Sequence, residues 1–223
     1  MIVTIDGPAG TGKSSVARML ADRLGFEFLN TGAMYRAVAY ACLQRQLDLG
    51  NEQDVGNVAH SLEIFFSNNR LLLGNDDVTE AIRGQEVTQS ASIVAANPVV
   101  RTRLVELQRL VGQGTNLVTE GRDQGTIVFP NAECKFFLTA SPEERARRRQ
   151  RELLEKGDQI SLEDLLEQQK LRDLRDETRA CSPLKPAPNA VIIDTTQMTL
   201  AHVASHLEQL VQHASASASA STR

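Results

Sequence analysis

The sequence has no apolar run approaching the ~18 residues of a membrane span, and no basic segment precedes its short apolar opening. Neither a transmembrane helix nor a signal peptide is expected. Cysteine is scarce. Cys42, Cys134 and Cys181 are odd in number, far apart and without a C-x-x-C pair. Such a set excludes a disulfide scaffold and a zinc site, and it predicts a reducing cytoplasm. Positive charge is also short, the net charge being −4, so polyanion binding by bulk electrostatics is excluded and no nucleic-acid partner is expected. Lysine is the rarer base, since 19 of the 24 basic residues are arginine. Arginine's planar fork suits bidentate phosphate contacts, although ordinary surface usage or codon bias explains the same count. Placement has to decide between them.

With 41% hydrophobic and 23% charged residues in 223, the chain can bury a core and suits one domain with a small insertion. Its first motif is Gly7-x4-Gly12-Lys13-Ser14, the phosphate-binding P-loop signature. Average residue usage gives such a match by chance in about one chain of this length in a hundred. Here the motif lies between an apolar run, Ile2–Asp6, and a helical pattern, Gly12–Leu24, as its mechanism requires. Backbone N–H groups cradle phosphates, Lys13 reaches the β and γ oxygens, and Ser14 ligates magnesium. The alternative, a glycine-rich turn with a surface lysine, is outweighed by that context.

Further along, Glu27–Leu29, Asn116–Thr119, Lys135–Thr139 and Ala190–Asp194 read as strands. Helices are expected over Ala33–Leu47, Glu52–Leu62, Gln85–Ala96, Val99–Val111, Ser141–Lys156, Leu162–Arg179 and Leu200–His213, with Ser141 and Ser161 as caps. Between them, LEIFFSNNRLLLGNDDVTEAI shows two apolar runs parted by Asn68-Asn69 and then a Gly-Asn-Asp-Asp turn, which suggests a small antiparallel insertion. Alternation of strands and helices predicts an α/β, P-loop NTPase three-layer fold, a parallel sheet of about five strands flanked by helices. The tail ASASASASTR, 214–223, is low in complexity and expected to be disordered.

No N-K-x-D occurs, so a guanine-specific GTPase is excluded. The strand LVTEG ends at Glu120, unlike the magnesium-holding Asp of ATP-driven motors, and the short chain favours a small-molecule kinase. Arg172, Arg175 and Arg179 recur at i, i+3 and i+7 with Asp176 beside them, one helical face that is either a phosphate grip or a solvated surface. Arg145, Arg147, Arg148, Arg149 and Arg151 cannot all point one way. Arg145 with Arg148 or Arg149 can clamp ATP, leaving the others at the surface. Tyr35 is either packing or contact. His202 and His206 belong to a solvated helix.

The stretches IDGPAGTGKSS, NTGAMYR, IRGQEV with SIVAANPVVR, EGRDQGTIVFPNA, SPEERARRR and RDLRDETR together resemble the bacterial cytidylate kinases, a branch of the nucleoside monophosphate kinases. The resemblance runs from Ile2 to about Leu210. It implies ATP-dependent phosphorylation of CMP and dCMP with Mg²⁺, in one P-loop kinase domain over 1–213. The core is 1–61 and 84–213, the CMP-binding insertion about 62–83 and the Arg-rich lid about 145–160. Gly7, Pro8, Ala9, Gly10, Thr11, Gly12, Lys13, Ser14 and Ser15, with Arg145 and Arg148, would take the ATP phosphates. Thr31, Arg36, Arg122 and Arg179 would hold the CMP phosphate, with Tyr35 nearby. Ser92, Arg101 and Asp123 would face the cytosine, Asp176 the ribose, and Arg172 the sugar and phosphate. Lys13, Arg122, Arg172 and Arg179 would be the catalytic residues, and Ser14 the metal ligand. Glu120 stands where many relatives carry Asp. A cytoplasmic monomer is expected. The rivals are another small-molecule kinase, of shikimate or thymidylate type, and a nucleotide-gated binding module without transfer activity.

Overall fold

A computed structural model of the protein describes residues 1–67, 70–155 and 157–221. The Asn68-Asn69 turn expected from the sequence lies outside the described residues. In chain order the first elements are β1 (Ile2–Asp6), α1 (Lys13–Leu24), β2 (Glu27–Asn30), α2 (Thr31–Gln44) and α3 (Glu52–Ser61). Three short strands follow, β3 (Ile64–Ser67), β4 (Arg70–Leu73) and β5 (Asp76–Asp77), then α4 (Gln85–Val94) and α5 (Pro98–Val111). The remainder is β6 (Leu117–Gly121), β7 (Cys134–Thr139), α6 (Pro142–Leu154), α7 (Leu162–Thr178), β8 (Val191–Asp194) and α8 (Leu200–Ser221). Two compact units arise, one from Met1–Leu29 with Gly112–Arg223 and the other from Asn30–Val111.

The first unit carries a five-stranded sheet in the order β2-β6-β1-β7-β8. β1 runs parallel to both β6 and β7, and β7 parallel to β8. Central β1 is buried almost throughout, as a parallel strand covered on both faces must be. Val3, Ile5, Val118, Phe136 and Leu138 pack under Val16 and Leu20 of α1 and Val203 and Leu207 of α8. Register sets Asp6 beside Gly121. The carboxyl ends of β1 and β6, where open α/β sheets place ligands, therefore lie side by side.

Helix starts follow the expected caps. Ser141 Oγ accepts from Glu144 N at 3.2 Å and Ser161 Oγ from Asp164 N at 3.0 Å, each satisfying an orphan N–H of a first turn. α2 begins two residues before the expected Ala33, because Asn30 Oδ1 accepts from Ala33 N at 3.0 Å and lets Thr31 open the helix. It stops at Gln44, short of Leu47, since Gln46 turns left-handed at φ 54°. α8 runs past the expected His213 to Ser221, so residues 214–221, expected to be disordered, are helical, because alanine, the strongest helix former, recurs through that stretch.

In the second unit α2 packs on α4, and α3 on α5. Asn97 divides α4 from α5, its Oδ1 accepting from Val99 N at 2.9 Å and Val100 N at 3.2 Å. The insertion is antiparallel as expected, Ile64 facing Leu73 and Leu72 facing Asp77.

Candidate active site

The loop after β1 needs its glycines for space. A Cβ on Gly7, whose φ is +143°, would overlap the Leu138 carbonyl oxygen, and one on Gly10 would come within 2.9 Å of Arg145 Cβ. Thr11 Oγ1 and Lys13 Nζ both donate to Pro8 O, at 3.1 and 2.7 Å. Lys13 is thus folded into its own loop and only 5% exposed. Burial, together with the positive charges of Arg122 and Arg172, pulls its ammonium from 10.5 down to about 7 despite Glu120 and Asp6. One step along, Ser14 Oγ donates to Glu120 Oε1 at 2.8 Å. Magnesium is commonly held by one or two protein oxygens plus substrate phosphates, and this hydroxyl–carboxylate pair at a P-loop fits that need.

Asp6 closes β1 from the other side. Its two carboxylate oxygens accept from Gln124 N at 2.9 Å and Gly125 N at 2.8 Å, the start of a one-turn π-helix, Gln124–Val128. Burial raises this carboxyl to about 7 even against those two bonds. Asp6 therefore ties the P-loop's first residue to the turn that carries Arg122 and Asp123. Sequence reading gave Asp6 no role. Its signal was a charged residue ending an otherwise apolar strand.

Arg122 Nε donates to Asp176 Oδ2 at 2.9 Å, and Arg179 Nη1 lies 4.0 Å from Asp176 Oδ1. Burial pushes the Asp176 carboxyl up, but the charges of Arg122, Arg172 and Arg179 prevail and hold it below the usual carboxylate range. The structure thus brings together Arg122, Arg172, Asp176 and Arg179, and the charges of Arg122 and Arg172 reach Lys13. Arg175, of the same helical series, is exposed.

The lid arginines separate as the sequence suggested they must. Arg145 is buried, donating to Ala140 O at 3.2 Å, Ala9 O at 3.1 Å and Asp173 Oδ2 at 2.7 Å. Arg148 donates to Thr195 O at 2.6 Å, to Thr195 Oγ1 at 3.1 Å and to Glu144 at 3.1 Å. Both therefore grip the frame of the P-loop, and Asp173 and Thr195 are partners that no motif announced. Arg149 and Arg151 make outer ion pairs with Glu152 and Glu144. His202 and His206 are exposed.

Within the second unit, Thr31, Tyr35, Ser92 and Arg101 are buried and Arg36 is half-buried. The Arg101 guanidinium sits 5.4 Å from the Tyr35 ring centroid and donates to Ala95 O at 3.1 Å. Tyr35 is therefore at least a platform for a cation. Among the described residues no helix is long and apolar enough to cross a membrane.

A family model described as cytidylate kinase matches residues 3–213. The chain is 46% identical over 225 residues to a cytidylate kinase of Rhodopirellula baltica, covering 100% of this chain and 98% of that one. It is 47% identical over 208 residues to one of Stutzerimonas stutzeri, covering 91% of each. Its backbone resembles an uncharacterised protein of Eubacterium ventriosum with a TM-score of 0.54, over 95% of this chain and 98% of that one. That pair is 11% identical, a likeness of fold alone.

Proposed function

The chain belongs to the cytidylate kinase family; we propose that it phosphorylates CMP and dCMP with ATP, its P-loop holding the donor and its arginines the acceptor phosphate. Gly7 to Ser15 would cradle the ATP phosphates, with Lys13 leaving Pro8 O for their oxygens. Ser14 would hold Mg²⁺, with Glu120 behind it. When bound, the ion neutralises charge on the transferring phosphates. Arg122, Arg172 and Arg179 would hold the CMP phosphate and Asp176 the ribose. Thr31, Arg36, Ser92, Arg101 and Asp123 are assigned to the same acceptor nucleotide. We also read the protein as a cytoplasmic monomer with one kinase domain over 1–213, an insertion at 62–83 and a lid at 145–160.

The acceptor oxygen of CMP is already ionised near neutral pH, so no strong general base is required. The residues' task is to position two anions, neutralise their repulsion and exclude water. The observation carrying this reading is the buried Lys13, folded back on Pro8 O at 2.7 Å with the charges of Arg122 and Arg172 acting on it. Such a cluster of cations is satisfied by incoming phosphate. A coupled assay over monophosphates tests it. CMP and dCMP should far outrun UMP, AMP, dTMP and shikimate, with one CDP formed per ADP. ADP formed without CDP would refute transfer and leave a nucleotide-gated module.

A further inference from the structure

Helix α7 carries two carboxylates three residues apart, and each is bound to a different arginine. Asp176 holds Arg122. Asp173 Oδ2 holds Arg145 at 2.7 Å, and the same Arg145 Nη1 donates to the P-loop carbonyl of Ala9 at 3.1 Å. Positions i and i+3 share a helical face. One rigid element is therefore pinned at one point to the donor loop and at the next to the acceptor arginines. α6, which bears Arg145, packs on α7 through Ala146, Leu153 and Leu165, so the pin spans a packed pair of helices.

We infer that Asp173 is a positioning residue that couples nucleotide binding at the P-loop to acceptor binding at Arg122. This rests on the functional reading above. Two further observations bear on it. Burial works against the charge on Arg122, and Asp176, Glu120 and also Asp173 outweigh it, so the Asp173 charge reaches the acceptor side as well. Its second oxygen, Oδ1, is buried with no hydrogen-bond partner among the described residues. A buried acceptor left unmade is costly, so this oxygen is open to a donor if the Arg145 guanidinium shifts. Phosphates arriving beside Ala9 and Gly10 compete for the Arg145 guanidinium, and whatever Arg145 gives up or gains is felt by Asp173 and hence by α7.

The test is a binding cycle on the full chain. CMP affinity is measured by calorimetry with and without a non-hydrolysable ATP analogue and Mg²⁺, in wild type and in Asp173→Asn and Asp173→Glu. Wild type should bind CMP about fivefold or more tightly with the analogue present, a usual size for coupled sites. Asp173→Asn should bring that factor within about twofold, whatever it does to either affinity alone. Asp173→Glu, which keeps the charge, should restore part of it and serves if the Asn variant fails to fold. Undiminished coupling in Asp173→Asn, or none in a wild type that phosphorylates CMP, overturns the inference. Wild type that neither binds nor phosphorylates CMP overturns the functional reading and this with it.

Discussion

Lys13 should take up a proton when ATP binds. The gap between its ordinary 10.5 and about 7 amounts to about 5 kcal/mol withheld from the ammonium form. Burial supplies most of this, with Arg122 and Arg172 adding repulsion. At about pH 7.5 a group with this value is only about one-quarter protonated. Triphosphate oxygens placed against Nζ reverse the balance, and the bound lysine is charged. Net uptake should then be about 0.7 proton per ATP at about pH 7.5, rising toward one at higher pH and vanishing below about pH 6. Asp6 subtracts from it. The Lys13 charge already lowers the Asp6 carboxyl, so a fully charged lysine drives a proton off it, and uptake in Asp6→Asn should exceed that of wild type.

Calorimetric titration of MgATP in two buffers of different ionisation enthalpy reads the proton count directly. The γ-phosphate is already ionised in this range and contributes little. Lys13→Met should abolish the uptake while the thermal transition survives, because the side chain acts on phosphate charge and not on packing. Uptake below about 0.2 proton in wild type at about pH 7.5, or the same uptake in Lys13→Met, refutes the reasoning.

Arg179→Met keeps the aliphatic stem and removes the guanidinium, so kcat/KM for CMP should fall by about a hundredfold or more while ATP affinity holds; weakened ATP binding with intact CMP binding would mean the two sides are reversed. Asp123→Asn should narrow the CMP-to-UMP ratio of kcat/KM by about tenfold, since a carboxylate accepts from the cytosine amino group and opposes uracil's O4; a constant ratio with both rates reduced would make Asp123 a support for Arg122 instead. Asp6 gives a pH signature. Its folded value, about 7, lies above its unfolded 3.8, so its contribution to stability is present at low pH and is lost as pH rises through about 7. Asp6→Asn should therefore lose less stability than wild type between about pH 5 and about pH 8 in thermal denaturation; equal losses would show that Asp6 does not titrate in this range.

The P-loop, the strand–helix alternation and both serine caps were legible because each depends on residues adjacent in sequence. Gly7 and Gly10 announce a loop that no side chain can enter, and Ser141 and Ser161 announce helix starts through atoms three residues away. What stayed hidden depends on pairing across distance. Asp6 meets Gln124 and Gly125, Arg145 meets Asp173, and Arg148 meets Thr195. None of these partners carries a motif, because any hydrogen-bonding group at the right place would serve. Helix ends were the other weak point. α2 ends where Gln46 adopts φ 54°, and a left-handed glutamine has no signature of the kind left by Gly25, which caps the end of α1 at φ 66°.

The arginine excess also finds its reason in placement. Bringing two nucleotides together requires a concentrated positive field, yet the protein must fold before they arrive. Unpaired buried cations would cost more than folding can supply. The structure matches cations to carboxylates in advance, Arg122 with Asp176, Arg145 with Asp173, and Arg148 with Glu144. The planar guanidinium suits this double duty, because its several N–H groups let one edge hold a carboxylate or carbonyl while another edge faces a phosphate. A lysine's single ammonium cannot do both at once. Lys13 shows the alternative, folded back on Pro8 O at 2.7 Å, its ammonium disfavoured by burial until phosphate comes.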